Sequence, residues 1–531
     1  MEFDYVVVGA GAAGAVIARR LTDNGDSVLL LEAGSSDRHP YIQIPAGFIY
    51  LLRDSLVSWG YSTQAESGIG GRTLVYPRGK VLGGSGSING MMQSWGLPYD
   101  FDRWASEGCP GWSFNEVRPY FMKSESYAHG NPETRGRSGP IAIADFATPH
   151  PIAKDLLRAG QQLGLQTLQD YNSDFREGLG LVQQTRRGRF RETASTAYLR
   201  PLRNASNLRI ETSAKAVSID LKGAKAVGVT YRQGSAMRTV RARREIILSA
   251  GSINSPHLLN LSGIGDATQL QSLGIAVKHH LPDVGLNLQD HYVTKTVRRI
   301  EGKRTLNEQG RGLNLLAEIA NYVLRGKGIL TYSFACATGY LKSSPGLKTP
   351  DLQISFAPGS FTPGKGYALD PDPGMTLGIW QMRPESRGRV QTRSADPSVA
   401  PAITLGYLQS EADQRAAVSA VRWSRRLLFA DVFAAYGRDE VFPGPGVNTD
   451  DELLEYARRT GGTTFHPVGS CRMGSDERSV VDPQLRVRGV AGLRVADASV
   501  MPHITSSNTH APTVMIAEKA ADMIIGSARE S

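Results

Sequence analysis

The sequence predicts an α/β protein: a Rossmann-like domain assembled from discontinuous segments, under a mixed-sheet cap. Three observations predict it. The chain opens with a strand, a glycine-rich turn, a helix and a second strand. Further glycine-rich blocks recur at 78–91 and 244–265. Between 300 and 460 short β-like runs alternate with helical patterns, and Pro and Gly are dense between them.

Residues 3–8 (FDYVVV) read as a buried parallel strand, short and apolar. Gly9, Gly11 and Gly14 follow as G-x-G-x-x-G, and 15–21 carries helical apolar spacing. Val28–Leu31 is a second apolar strand with Glu32 at its end. An acidic residue about 20 positions past the glycines completes a dinucleotide-binding β-α-β unit. Gly9 permits the tight turn, Gly11 lets backbone approach a pyrophosphate, and Gly14 lets helix and strand pack closely. The helix N-terminus offers free N–H groups to phosphates. Glu32 can accept from ribose hydroxyls and would repel a 2′-phosphate, which disfavours NADP. The triplet does not separate NAD from FAD.

Residues 78–91 (RGKVLGGSGSINGM) hold too much glycine for regular helix and suit backbone lying against a large planar or phosphorylated ligand. In the block 244–265, residues 246–248 read as a buried strand. Ser255 reads as an N-cap, with Pro256 at the first helical position. Strands are expected at Leu208–Glu211 and 226–231, and a polar turn at 282–291. The later region predicts strands at 351–356, 375–382 and 388–392, and helices near 313–324 and 414–428. A strand ends at Asp497, and Pro512 suits the N1 position of a closing helix. The expected division is 1–296 (mostly nucleotide domain, with part of the cap), 297–460 (cap) and 461–531, which completes the nucleotide domain and active site.

Composition limits the alternatives. The 531 residues are 40% hydrophobic and 21% charged, ordinary values that exclude wholesale disorder. Glycine supplies 58 of the 531, above the usual share of about 7%. Lys and Arg number 60 against 50 Asp and Glu, a net charge of +10. The basic residues are scattered and no nucleic-acid motif accompanies them, so nucleic acid is not an expected partner. No apolar run approaches the roughly 18–20 residues of a membrane span. Three distant cysteines exclude a disulfide framework or CxxC metal site. With no signal peptide read at the N-terminus, a cytoplasmic location is expected, and an oligomer is left open.

Several blocks together identify a family. FDYVVVGAGAAGAVIARRL, PRGKVLGGSGSING, AGSINSPHLLNLSGIG, VGLNLQDH, FHPVGSCRMG and NTHAPTVMIAEKAADMI stand in order along the chain. The chain resembles the glucose–methanol–choline (GMC) oxidoreductases, and most closely their bacterial alcohol and sorbose dehydrogenase-like members. The family's C-terminal region would span about 384–520. The resemblance implies an FAD-binding Rossmann-like domain. Its cofactor positions fall on Gly9, Gly11, Ala12, Ala13, Gly14, Glu32, Ala33, Val81, Gly84, Ser85, Asn89, Gly90, Met91 and Ala216, then on Asp497, Ala498, His510, Pro512 and Thr513. Ile88 stands where some members attach the flavin through a histidine, so non-covalent FAD is expected.

The implied activity is oxidation of a primary alcohol (aryl, furanic, heteroaromatic or polyol/sugar) to the aldehyde. His466 matches the family's base and His510 its partner, assisting hydride transfer to flavin N5. Imidazole, with an ordinary pKa of about 6.5, is neutral and basic near pH 7. A helix starting near Pro512 would stabilise negative charge arriving on the flavin. His291 is expected to be structural. Met92, Trp95, Phe334, Phe356, Trp380 and Phe465 are the substrate-pocket candidates, and the lack of an anionic cage disfavours choline. The electron acceptor is oxygen or a quinone-type carrier. The alternatives within the fold are a hydroxynitrile lyase and a fatty-acid photodecarboxylase.

Overall fold

The computed structural model describes residues 1–52, 54–362, 368–437 and 439–530. Its first large sheet draws on three distant parts of the chain. Glu2–Val8 lies parallel between Val28–Leu31 and Ala236–Leu248. Leu208–Glu211 extends one side, and Leu493–Val495 pairs with Ile246, Ile247 and Leu248 on the other. Ala214–Lys222 and Lys225–Gln233 continue it as an antiparallel arm. Val6, Val7 and Leu30 are wholly buried, as a parallel sheet covered on both faces requires.

The helices Ala12–Asp23 and His510–Glu530 pack against each other beside this sheet. Arg20 on the first grips the buried Glu518 on the second with two 2.8 Å bonds, and Tyr198 donates to the same carboxylate at 2.8 Å. A buried charge is tolerated when it is paired and hydrogen-bonded in this way. The bond ties the nucleotide turn to the helix that begins at His510.

The second large sheet is mixed. Tyr292–Arg299, Gly374–Gln381, Leu352–Ala357 and Ala337–Leu341 run antiparallel in that order, and Gly178–Leu181 follows. The helix Glu411–Leu428 packs against its strands, and the amphipathic pattern of that helix buries Ala416, Ala420 and Leu427 there.

Three local readings need correction. The helix around Ser255 spans Gly251–Leu261, so Ser255 lies inside it and is not its cap. Asp497 does the capping: its carboxylate accepts from Gly251 N at 2.8 Å and from the Ser255 hydroxyl at 2.5 Å. Pro256 lacks the N–H that would reach Ser252 O, and the Ser470 hydroxyl takes that carbonyl at 2.6 Å instead. The closing helix begins at His510, which puts Pro512 third. First-turn N–H groups have no intrahelical partner, so a proline there removes nothing. The expected polar turn at 282–291 ends in the buried residues Leu288, Gln289, Asp290 and His291.

All three cysteines are buried and free. Among the described residues no helix is long and apolar enough to cross a membrane, and no group of three His, Cys, Asp or Glu is placed to hold a metal ion.

Candidate active site

One cavity runs from the glycine turn to the cap sheet. Its nucleotide end is shaped by backbone. Gly9 has φ +98°, and a Cβ there would meet Ser249 O at 2.5 Å. A Cβ on Gly14 would meet Gly9 O at 1.8 Å. Gly84, with φ +56°, would drive a Cβ to 2.7 Å from Gly11 Cα, so the first two glycine blocks touch. Gly9, Gly11, Ala12 and Ala13 line the cavity, as do Glu32, Ala33 and Ala216. Glu32 is buried, and its two oxygens accept from Ala10 N at 3.0 Å and Gly34 N at 2.8 Å. Burial raises its pKa to about 7 against those two bonds. Each oxygen keeps a lone pair for a hydroxyl group.

The second glycine block supplies Gly84, Ser85, Asn89, Gly90 and Met91 to the wall. The buried Arg191 donates to Asn89 Oδ1 at 2.9 Å and to its carbonyl at 2.7 Å. Arg191 was not among the expected site residues. Asp497, Ala498, His510 and Thr513 also reach the cavity. Gly14, Val81 and Pro512 do not line it. Gly14 serves helix-to-strand packing, and Val81 is in an apolar cluster with Ile42 and Leu51.

At the far end His466 is held by several partners. Asp290 is fully enclosed and its carboxylate receives five donors: the backbone N–H of His291 and His466 and the hydroxyls of Tyr76, Tyr407 and Thr463. Phe465, one residue before His466, has φ +65°. Its N–H donates to Thr463 Oγ1 at 2.7 Å, and its carbonyl accepts from Arg78 at 3.0 Å. These bonds hold a left-handed backbone that a bulky residue otherwise avoids.

The hydrogen-bond network assigns the protons of His466. A carbonyl only accepts, so His291 donates its Nε2–H to Met382 O at 2.9 Å. Burial pushes the His291 pKa down to about 4, which keeps that ring neutral and leaves a lone pair on Nδ1. His466 Nδ1 lies 3.0 Å from it and therefore carries the shared proton. Thr464 agrees: its hydroxyl donates to His291 O at 3.2 Å and so accepts from His466 Nδ1 at 2.8 Å. His466 Nε2 is thus the unprotonated nitrogen, and its lone pair accepts from the Asn508 amide at 2.9 Å. Burial, with His291 beside it, holds the His466 pKa well below that of an ordinary imidazole.

His510 shares the cavity with His466, but the side chain bonded to His466 Nε2 is Asn508. His510 Nε2 and Asn508 Oδ1 are buried without a partner. Burial, then the nearby Arg191 charge, lowers the His510 pKa to about 4. His291 was expected to be structural; it bonds directly to His466. Its place in the QDH stretch was the only signal.

Met92, Phe334, Trp380 and Phe465 line the cavity. Trp95 and Phe356 belong to cores instead. Trp95 stacks on Phe121 at 4.8 Å and donates Nε1–H to Glu125. Phe356 is fully buried in the cap core, because strand alternation turns its neighbour Ser355 to the cavity.

Comparisons with known proteins agree along the whole chain. The family model described as GMC oxidoreductase matches residues 3–293 in its N-terminal part and 384–517 in its C-terminal part. An oxygen-dependent choline dehydrogenase of Rhizobium johnstonii is 39% identical over 99% of this chain and 96% of its own length. Pyridoxine 4-oxidase from Mesorbium loti superposes with a TM-score of 0.89 at 29% identity, covering 98% of each chain. A formate oxidase of Aspergillus oryzae RIB40, solved in a study of FAD modification, gives 0.91 at 28% identity, covering 100% of this chain and 99% of its own.

Proposed function

The chain belongs to the GMC oxidoreductase family, and on that premise we propose that it oxidises a primary alcohol to the aldehyde with His466 as the base. It is an FAD-dependent alcohol oxidoreductase; the residue roles and the alcohol are the reading offered here.

The residues present fit FAD. The glycine turns leave space that a Cβ would fill, Glu32 offers lone pairs for ribose hydroxyls, and the helix Ala12–Asp23 turns its N-terminus to the cavity. Asn89, Ala216, Asp497 and Thr513 would complete the hold. Ile88 reaches the cavity and offers no nucleophile, which supports non-covalent binding. Bound FAD supplies the acceptor for the two electrons and carbon-bound hydrogen that an alcohol gives up.

The chain's own work is on the proton. His466 Nε2 takes it from the substrate hydroxyl. Its Nδ1–H stays bonded to His291 and Thr464 throughout, so the ring cannot rotate away as it becomes charged. His510 would donate its Nε2–H to the alcohol oxygen, and the second N–H of the Asn508 amide would do the same. The aromatic walls exclude water around the exchange.

The observation that carries this reading is the tautomer relay from Met382 O through His291 to His466. Anaerobic mixing with primary alcohols tests it. Bleaching of the flavin absorption is expected, and its absence across aryl, furanic and sugar alcohols would overturn alcohol oxidation in favour of a non-redox use of the fold. Reoxidation by oxygen or by a quinone dye then identifies the acceptor.

A further inference from the structure

The cap sheet carries a cation into the cavity. Lys295 sits mid-strand in Tyr292–Arg299 and pairs with Gly378, which in turn pairs with Ser355. The three form one row across three strands, and all three line the cavity. Gly378 at the centre has no side chain, so the row is a trough between Lys295 and Ser355. A Cβ on Gly378 would reach Val293 Cγ2 at 3.0 Å and Lys295 Cγ at 3.8 Å. The neighbouring row pairs Val293 with Trp380, whose ring centroid is 6.3 Å from that of His466. Successive rows on one face are about 7 Å apart. Trp380 therefore links the two: its row neighbours the lysine row, and its ring neighbours that of His466.

Two polar atoms beside the lysine are unmatched. Ser355 Oγ and Trp380 Nε1 are buried without a hydrogen-bond partner, on two residues that line the cavity. An indole N–H can only donate. Burial lowers the Lys295 pKa to about 8, which still leaves it mostly charged at pH 7. Among the described residues the only carboxylates lining the cavity are Glu32 and Asp497, both already bonded to backbone N–H groups. Nothing there balances a cationic substrate. A cation, an indole N–H and a hydroxyl, flanked by Phe334 and Phe465, suit a flat ring bearing an anion.

We propose that the substrate is a hydroxymethyl-aryl compound carrying an anionic group, seated on Lys295, Ser355 and Trp380 with its carbinol at His466. This rests on the alcohol-oxidation reading above and adds the substrate class. Carboxylate and phosphate share the chemistry, and paired probes separate them.

The holoenzyme is titrated with benzoate and, in parallel, phenyl phosphate, neither of which has an alcohol to oxidise. A saturable shift of the flavin spectrum is expected with at least one of them, weakened at least about 10-fold in Lys295→Met and partly restored in Lys295→Arg. No shift with either overturns the inference, whatever turnover shows. Anaerobic bleaching is then compared for 4-(hydroxymethyl)benzoate, 4-(hydroxymethyl)phenyl phosphate, benzyl alcohol and choline. The expected kcat/KM for an anionic probe exceeds that for benzyl alcohol by at least about 10-fold, and the ratio collapses in Lys295→Met. Benzyl alcohol or choline outrunning both anions sinks the anionic class but keeps alcohol oxidation. Anion binding without bleaching by any alcohol sinks the oxidation reading but keeps the anion site. If Lys295→Met fails to fold, the wild-type titration and Ser355→Ala still decide.

Discussion

The glycine cradle and the cap wall face each other across one cavity, yet they are built from different material. The cradle is backbone. At Gly9, Gly14 and Gly84 an added Cβ collides with main-chain atoms, so residue type is dictated by space. The cap wall is side chain. Lys295, Ser355 and Trp380 reach the cavity because each falls on the right face of its strand, and many residues could occupy those positions without disturbing the sheet. A backbone-shaped site binds a fixed cofactor. A side-chain-shaped wall can change substrate within the same fold.

The largest effect comes from breaking the cradle. In Gly84→Ala the new methyl would sit 2.7 Å from Gly11 Cα at a φ of +56°. The purified variant should be colourless and inactive; a yellow, active protein would show that the backbone contact is not what holds the cofactor. Next is the base. His466→Asn should keep FAD but slow anaerobic flavin reduction by at least about 100-fold.

The relay should show a smaller effect. His291→Phe removes the acceptor of the His466 Nδ1–H, and a lost bond to a group that becomes charged predicts about 10-fold slower reduction. His291→Gln can still donate to Met382 O and accept from His466, so it should recover part of the rate and the wild-type pH profile. Equal loss in both variants would argue for a packing role.

Cofactor affinity should carry a milder pH dependence. Glu32, with its pKa near 7 in the protein, is ionised above that pH and protonated below it. The ionised form accepts at both oxygens, so FAD affinity of the apoprotein should be full above pH 7 and fall a few-fold towards pH 6. Glu32→Gln should bind weakly and without that slope. The smallest change lies behind the cap wall. Phe356→Leu should lower the melting temperature by a few degrees and leave substrate KM alone, since Phe356 is in the cap core and not the cavity wall. A shifted KM would blur the boundary drawn between Phe356 and Ser355.

The cradle was legible because its constraint is local. Gly9, Gly11, Gly14 and Glu32 sit at spacings set by one turn, one helix and one strand, and the structure puts Gly9, Gly11 and Glu32 at the cavity with Gly14 packed behind. The cap was less legible. Reading an apolar aromatic at 356 as a pocket residue is natural, but which neighbour faces the cavity depends on register against Ala337 and Leu377, which no local pattern reveals. Ser255 misled for a similar reason: it has the composition of a cap, while the cap itself arrives from Asp497, far along the chain. Asp290 and His291 looked like a surface turn because they are polar. They are buried because partners from four other segments satisfy them.

By itself the sequence determined the nucleotide-binding unit and the order of its elements, since these rest on residue types that few substitutes can replace at short, fixed spacings. The tertiary structure alone decided which proton His466 carries, that Asn508 is the side chain bonded to its Nε2, and that a lysine from the cap shares its cavity. Those outcomes depend on distances between strands and turns brought together from remote parts of the chain, and a hydrogen bond or an electrostatic match exists only once that approach is made.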